Sequence, residues 1–409
     1  MSIERLRRVL AANYMVKIDS SADTVGQIIV RQRKRMEAAA KRRKPPPDAK
    51  VPKVVAALEG VPSFRFRAID LLRKIGDLTT PSWVNMASLS ASWATRRYFW
   101  AIAEHASGLG AFKLNREVSD LDFHQKTLLS DEFGIGMAGL AMEQLFTTNA
   151  AADVSVALKD AKTYQQIRRR SAAEPDYLMW DVRPGAPYYV VECKGSQSSR
   201  GTTLDQLRRG LEQVPSIAFG AGPRRSESLV IATSMRPTGT TVYIFDPPGE
   251  EDEEDSERVS ERAGRSWKIR SPEEFSRRSW NAERSRVLKW AGLFQAAARV
   301  DAELESALFA AHYVPEVPLP DQPLVRREFE GVGFQGRSIP AFPELGRAGL
   351  SIFTGVEESV LEHLRSESGR EPAGERPIAE KVHQMLVANQ RDNHISVGPN
   401  GMCLAIGGL

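Results

Sequence analysis

Between Pro175 and Lys194 the chain reads Pro-Asp-Tyr-Leu-Met-Trp-Asp and, after a turn, Tyr-Tyr-Val-Val-Glu-Cys-Lys-Gly. Side chains alternate across a strand, so Glu192 and Lys194 share a face about 7 Å apart while Val191 and Cys193 point the other way. Asp176 opens the preceding apolar run, and pairing of the two segments brings its carboxylate beside Glu192. Two hard oxygen ligands placed this way suit Mg²⁺, with Mn²⁺ as a substitute, and the backbone carbonyl of Cys193 can add a third oxygen. The chemistry such a set serves is phosphodiester hydrolysis, in which the cation acidifies water and clamps the phosphate oxygens. Lys194 stays protonated next to the carboxylates and stabilises the pentavalent phosphate.

Three extended segments are expected around these residues, at 153–158, 177–182 and 188–193, with Arg183–Pro187 as the turn between the last two and Gly195 as the stop. A helix over 131–146, capped by Ser130, precedes them. Glu132, Gly136, Gly139 and Glu143 fall on one stripe of that helix, and the paired glycines point to close docking against the sheet. Thr203–Val214 reads as a helix with Leu204, Leu207, Leu211 and Val214 buried, and 229–234 and 241–246 complete a five-stranded sheet. Acid-any-lysine also occurs at Asp48–Lys50 and Asp160–Lys162, without the β-branched and aromatic setting of Glu192. Asp181 is the rival of Asp176 for the second carboxylate. The bland alternative is an edge strand whose charges face solvent.

Pro175-Asp176 followed by Glu192-Cys193-Lys194 resembles the signature of the PD-(D/E)xK nuclease superfamily. The resemblance implies an α/β, restriction-endonuclease-like mixed sheet flanked by helices over residues 121–250. It implies a Mg²⁺-dependent nuclease, acting on DNA before other substrates, in a setting of prokaryotic restriction or phage defence. It also implies a further metal ligand from the helix before the first strand, Glu132 in preference to Glu143. Some branches place a glutamine on the helix after the motif, where Gln206 stands, but the tyrosine that commonly follows is missing. Two rivals remain: a non-catalytic nucleic-acid-binding or scaffolding protein, and an RNA-cleaving toxin.

The 409 residues hold 56 basic and 52 acidic side chains, and arginine outnumbers lysine 41 to 15. That bias favours phosphate contacts, since the guanidinium is a fork of donors. Two cysteines, Cys193 and Cys403, make neither a disulfide framework nor a four-ligand zinc site. A reducing cytoplasm is expected, and neither an export signal nor a membrane span is legible. No Gly-Lys dipeptide exists for a Walker loop, so any ATP-driven motor must be a partner; the partners expected besides nucleic acid are a second copy of the chain, or an ATPase or sensor protein. The six histidines are scattered.

Elsewhere, residues 1–120 read as a basic arm, densest from Arg31 to Lys53, and a helical region over 54–114. Residues 251–312 read as an acidic loop, begun by the six acids of Glu250–Asp255, and a helical extension over 271–312. Residues 313–409 read as an α+β region with a helix near Ile378–Asn389 and a hairpin around Pro399-Asn400-Gly401.

Overall fold

The structure is a computed structural model. It describes residues 3–43, 51–80, 87–105, 109–157, 164–166, 175–183, 185–214, 216–219, 226–247, 266–269, 271–308, 323–329, 331–340, 350–365 and 394–407. The tripeptides Asp48–Lys50 and Asp160–Lys162, the acidic run and the helix expected near Ile378 lie outside the described residues.

The chain begins with α1 (Ile3–Ala11), β1 (Asn13–Asp19), α2 (Ala22–Lys41), β2 (Lys53–Val54), β3 (Ser63–Arg67), α3 (Ala68–Leu78), α4 (Ala87–Tyr98) and β4 (Leu109–Ala111). The segment around the motif contains α5 (Phe123–Leu145), β5 (Ala150–Asp153), α6 (Val154–Ala157), β6 (Tyr164–Gln166), β7 (Tyr177–Trp180), β8 (Tyr188–Ser196), α7 (Arg200–Gln213), β9 (Ser216–Phe219), β10 (Ser226–Arg236) and β11 (Gly239–Asp246). Then follow β12 (Ser266–Ile269), α8 (Pro272–Ala291), α9 (Phe294–Leu308), β13 (Val325–Phe329), β14 (Val332–Pro340), β15 (Ser351–Glu357), α10 (Glu358–Arg365), β16 (Ile395–Val397) and β17 (Met402–Gly407).

Among the described residues the main sheet has nine strands, in the order β3-β1-β11-β10-β8-β7-β5, with β2 on β11 and β4 on β1. It is mixed: β8 runs parallel to β10, and β7 antiparallel to β8. Helices flank it, α5 and α7 both packing on β8. The five expected strands are therefore part of a larger sheet. The N-terminal segment joins the sheet directly: Tyr14 and Val16 alternate inward along β1, and β1 pairs with β11. The basic run up to Lys41 belongs to α2, where Arg31 and Arg35 pair with Asp205 and Glu212 of α7 at 3.2 and 2.9 Å.

Several boundaries differ from the sequence reading. The segment expected as a strand at 153–158 is β5, ending at Asp153, and then one turn of helix. β8 continues through Lys194 and Gly195 to Ser196 because parallel pairing with β10 extends to Ser234. α5 starts two turns before Ser130, capped by Asp122, whose carboxylate accepts from the Gln125 amide at 2.9 Å. The helix expected over 271–312 breaks at Gly292, which adopts φ 88° and lets the chain turn from α8 into α9.

The glycine stripe of α5 does not dock on the sheet. A Cβ on Gly136 would meet Ile75 and Leu71, and one on Gly139 would meet Leu78 and Lys74, so those glycines admit α3. The sheet contact is made by Gly134 and Gly195: a Cβ on Gly195 would lie 1.7 Å from the Ser130 carbonyl oxygen. On the other face, α7 buries Leu204, Leu207 and Leu211, as its spacing predicts.

The C-terminal strands form a separate five-stranded sheet, in the order β13-β14-β15-β17-β16. Its Ser396 joins the core: the hydroxyl donates to Asp70 at 2.7 Å, and Asp70 also accepts from Arg67 at 2.7 and 3.0 Å. Burial alone would raise the Asp70 pKa, but Arg67 and Ser396 outweigh it and hold the carboxyl at about 2. Because the folded value is depressed from 3.8, the associated stability, about 2 kcal/mol by linkage, is present above the unfolded pKa and lost as pH falls through about 2. Urea titrations of Asp70→Asn and the parent should therefore converge as the pH is lowered; a constant separation would refute the linkage.

Candidate active site

β8 lies between β7 and β10, so it is not an edge strand, and Glu192 on it is 0 % exposed. Tyr177 pairs with Val191 and Leu178 with Val190, and Asp176 is the residue just before this paired strand. Asp176 accepts the Cys193 N–H at 2.7 Å, which fixes the carboxylate against β8. Lys194 Nζ donates to Glu192 Oε1. The three motif residues are thus brought together, with Glu192 under α7, where a Cβ on Gly210 would stand 3.3 Å from its Cγ.

Burial lowers the proton affinity of the Lys194 amine, but the charge and hydrogen bond of Glu192, and then Asp176, raise its pKa above the ordinary value. Burial raises the Asp176 pKa, opposed by the Cys193 N–H and Lys194 and reinforced by the charge of Asp131. The Cys193 thiol is buried and pushed far up, which leaves it unreactive.

Asp131, not Glu132 or Glu143, is the helix carboxylate that acts on this cluster. It lies close enough for Lys194 to pull its pKa down while burial pushes it up. Its neighbour Glu132 faces the Tyr98 hydroxyl and Arg97 instead. Glu143 stands eleven residues beyond Glu132, roughly 16 Å along the axis, and is buried against Arg73 at 2.9 Å and against Lys74. Its place is in the packing of α3 on α5. Asp181 caps the turn after β7 by accepting the Arg183 N–H at 2.9 Å, so it takes no part. Gln206 of α7 donates to the Gly195 carbonyl at 3.2 Å, next to Lys194. Its Oε1 is buried and finds no hydrogen-bond partner among the described residues.

The C-terminal ends of β8 and β10 open into a cleft of about 1190 Å³, bordered by Asp131, Gly195 and Gln206 on the motif side. The opposite wall comes from the N-terminal third, including Lys113 and Arg116. Ligands in open α/β sheets commonly sit at such strand ends. Among the described residues no group of three or more histidines, cysteines and carboxylates is disposed to hold a metal ion. Mg²⁺ does not require one, because it is usually bound through one or two carboxylates with the remaining positions left to water and phosphate. Asp176 and Glu192 would be the two carboxylates of such a set. The mutual repulsion of Asp131 and Asp176 is one that an added cation would relieve.

No protein-family model, no curated protein and no solved structure matches this chain. Among the described residues no helix is long and apolar enough to cross a membrane. The free cysteines Cys193 and Cys403 are both buried.

Proposed function

We propose that this chain is a Mg²⁺-dependent nuclease that hydrolyses phosphodiester bonds, DNA being the first substrate to test, on a restriction-endonuclease-like core. One observation carries the reading: Asp176 accepts the Cys193 N–H of β8 at 2.7 Å, and on the same strand Lys194 bonds Glu192, one residue before Gly195 in the wall of a cleft with more basic than acidic side chains. A charge pair in the middle of a sheet is a poor source of stability, because desolvation offsets the attraction. Its presence in a central strand therefore favours a working site. From α5 to β10 the main sheet takes β5, β7, β8 and β10, with α5 ahead of them and α7 between β8 and β10, while β6 and β9 belong to a separate sheet with β12.

In this reading Asp176 and Glu192 hold the cation, and Asp131 stands where a helix carboxylate is expected. When bound, the ion supplies Lewis-acid polarisation of the phosphate. Lys194, kept as an ammonium, stabilises negative charge on the phosphorus-bound oxygens and orients the attacking water. Gln206 holds the Gly195 carbonyl and so fixes the backbone beside Lys194.

The test is a digest of duplex DNA, single-stranded DNA and RNA by the full chain, with Mg²⁺ and with chelator. Cleavage that needs the metal and is lost in Asp176→Asn is expected. Absence of cleavage of all three with Mg²⁺ or Mn²⁺, or an Asp176→Asn variant as active as the parent, would overturn the proposal.

A further inference from the structure

We infer that the cleft beside Lys194 takes a single strand of nucleic acid, with Phe123 as a platform for an unpaired base. This rests on the phosphodiester reading above and names its substrate class. Phe123 is the first residue of α5 and borders the cleft two turns before Asp131. It is 78 % exposed, the most exposed large apolar side chain among the described residues. Its ring neighbour among the described residues is His124, at 6.0 Å between centroids, so the phenyl face adds little to the core.

Charge along the same cleft suits a phosphate backbone. Lys113, Arg116 and Arg236 line it and are exposed, and among the described residues none of the three side chains is held in an ion pair. Lys126, one turn from Phe123, also lines it and donates to the Ser119 carbonyl at 2.7 Å. Of the cleft's two acids, Glu104 is neutralised by Arg5 and Arg8 at 3.1 and 2.8 Å. The other, Asp131, belongs to the candidate active site.

Two features select a single strand over a duplex. Glu192 is fully buried and the Lys194 side chain only 24 % exposed, so a reacting phosphate must pass below the surface beside Gly195 of the cleft wall to reach them. Within a duplex the base faces are already stacked, whereas an unpaired base offers its face to an aromatic side chain. The cleft volume of about 1190 Å³ exceeds the range of roughly 300–1,000 Å³ found for pockets that hold small ligands, which leaves room for a chain segment.

Fluorescence anisotropy of the full chain in chelator, with labelled oligothymidylate, oligouridylate and a duplex of equal length, tests this. The parent should bind one or both single strands more tightly than the duplex. Phe123→Ala should weaken single-strand binding about tenfold, Phe123→Trp should restore it, and Arg116→Gln with Arg236→Gln should flatten the salt dependence. Phe123→Ala binding as tightly as the parent, or a parent that prefers the duplex, would overturn the inference. Because chelator removes catalysis from the measurement, a nuclease reading refuted by an inactive parent or by an active Lys194→Ala variant leaves this binding result to be judged separately.

Discussion

Replacing Lys194 with alanine is expected to lower the rate of strand cleavage by about a hundred- to a thousandfold, the scale on which a donor aimed at developing negative charge acts. The ammonium is the only cation that the motif itself contributes, and Glu192 and Asp176 together hold it protonated. Without it, Glu192 remains fully buried in a central strand and must keep its charge there without the ammonium or take up a proton. Either outcome weakens the carboxylate pair as well as removing the donor. Single-turnover cleavage at saturating Mg²⁺ should show the loss in the chemical step. Lys194→Arg should recover less than the retained charge alone would suggest, because a planar fork does not reproduce a compact ammonium on Glu192 Oε1. Circular dichroism separates loss of activity from loss of fold. Cleavage by Lys194→Ala at the parental rate would remove Lys194 from the mechanism, and with it the reason for placing the site on β8.

The part of the site that was legible in the sequence is the part set by strand alternation and local pairing. Glu192 and Lys194 share a face whatever packs on it, and the turn after Asp181 fixes the register that pairs Tyr177 with Val191 and leaves Asp176 next to β8. The helix carboxylate was not legible, because it depends on which neighbour each stripe of α5 meets. The stripe through Gly136 and Gly139 meets α3, and Glu143 goes with it into the interior, while Ser130 and Gly134 meet Gly195. Gly134 was the available signal: it stands one turn beyond Asp131 and turns that side of the helix toward β8.

The missed strands have different causes. Ala150–Ala152 of β5 carries no β-branched or aromatic residue, and its extended form comes from pairing with β7. β2 has two residues and β4 three, too few for an alternation to register. β1 lies between two helices and its seven residues were lost in a weak basic and apolar pattern. The nine-stranded sheet is consequently a tertiary result, with N-terminal strands added to the edge begun by β11. That addition matters for function, because the same N-terminal third supplies the far wall of the cleft.

Arg286→Met is expected to be the most destabilising single change outside the hydrophobic core, costing about 3–5 kcal/mol as the removal of one partner from a buried ionic set does. Arg286 of α8 bonds Asp77 of α3 and Glu283 of its own helix, and Glu283 accepts from the Ala151 amide of β5 at 3.3 Å and from Asn400 at 3.2 Å. Asp77 in turn holds Lys74 at 2.9 Å, and Lys74 and Arg73 share Glu143. Burial weakens the guanidinium's hold on its proton, with Arg73 adding to the effect, to a pKa of about 9. Methionine fills much the same volume, so the loss reports the missing guanidinium partner of Asp77 and Glu283 rather than a cavity. Adding Asp77→Asn to Arg286→Met should return part of the stability, since one of the two carboxylates that lost the guanidinium is then removed. Because Asn400 precedes β17, the C-terminal sheet should loosen first, and limited proteolysis should cut there before the main sheet unfolds. Urea unfolding of Arg286→Met at the parental midpoint would mean that packing alone joins the C-terminal strands to α3 and α8.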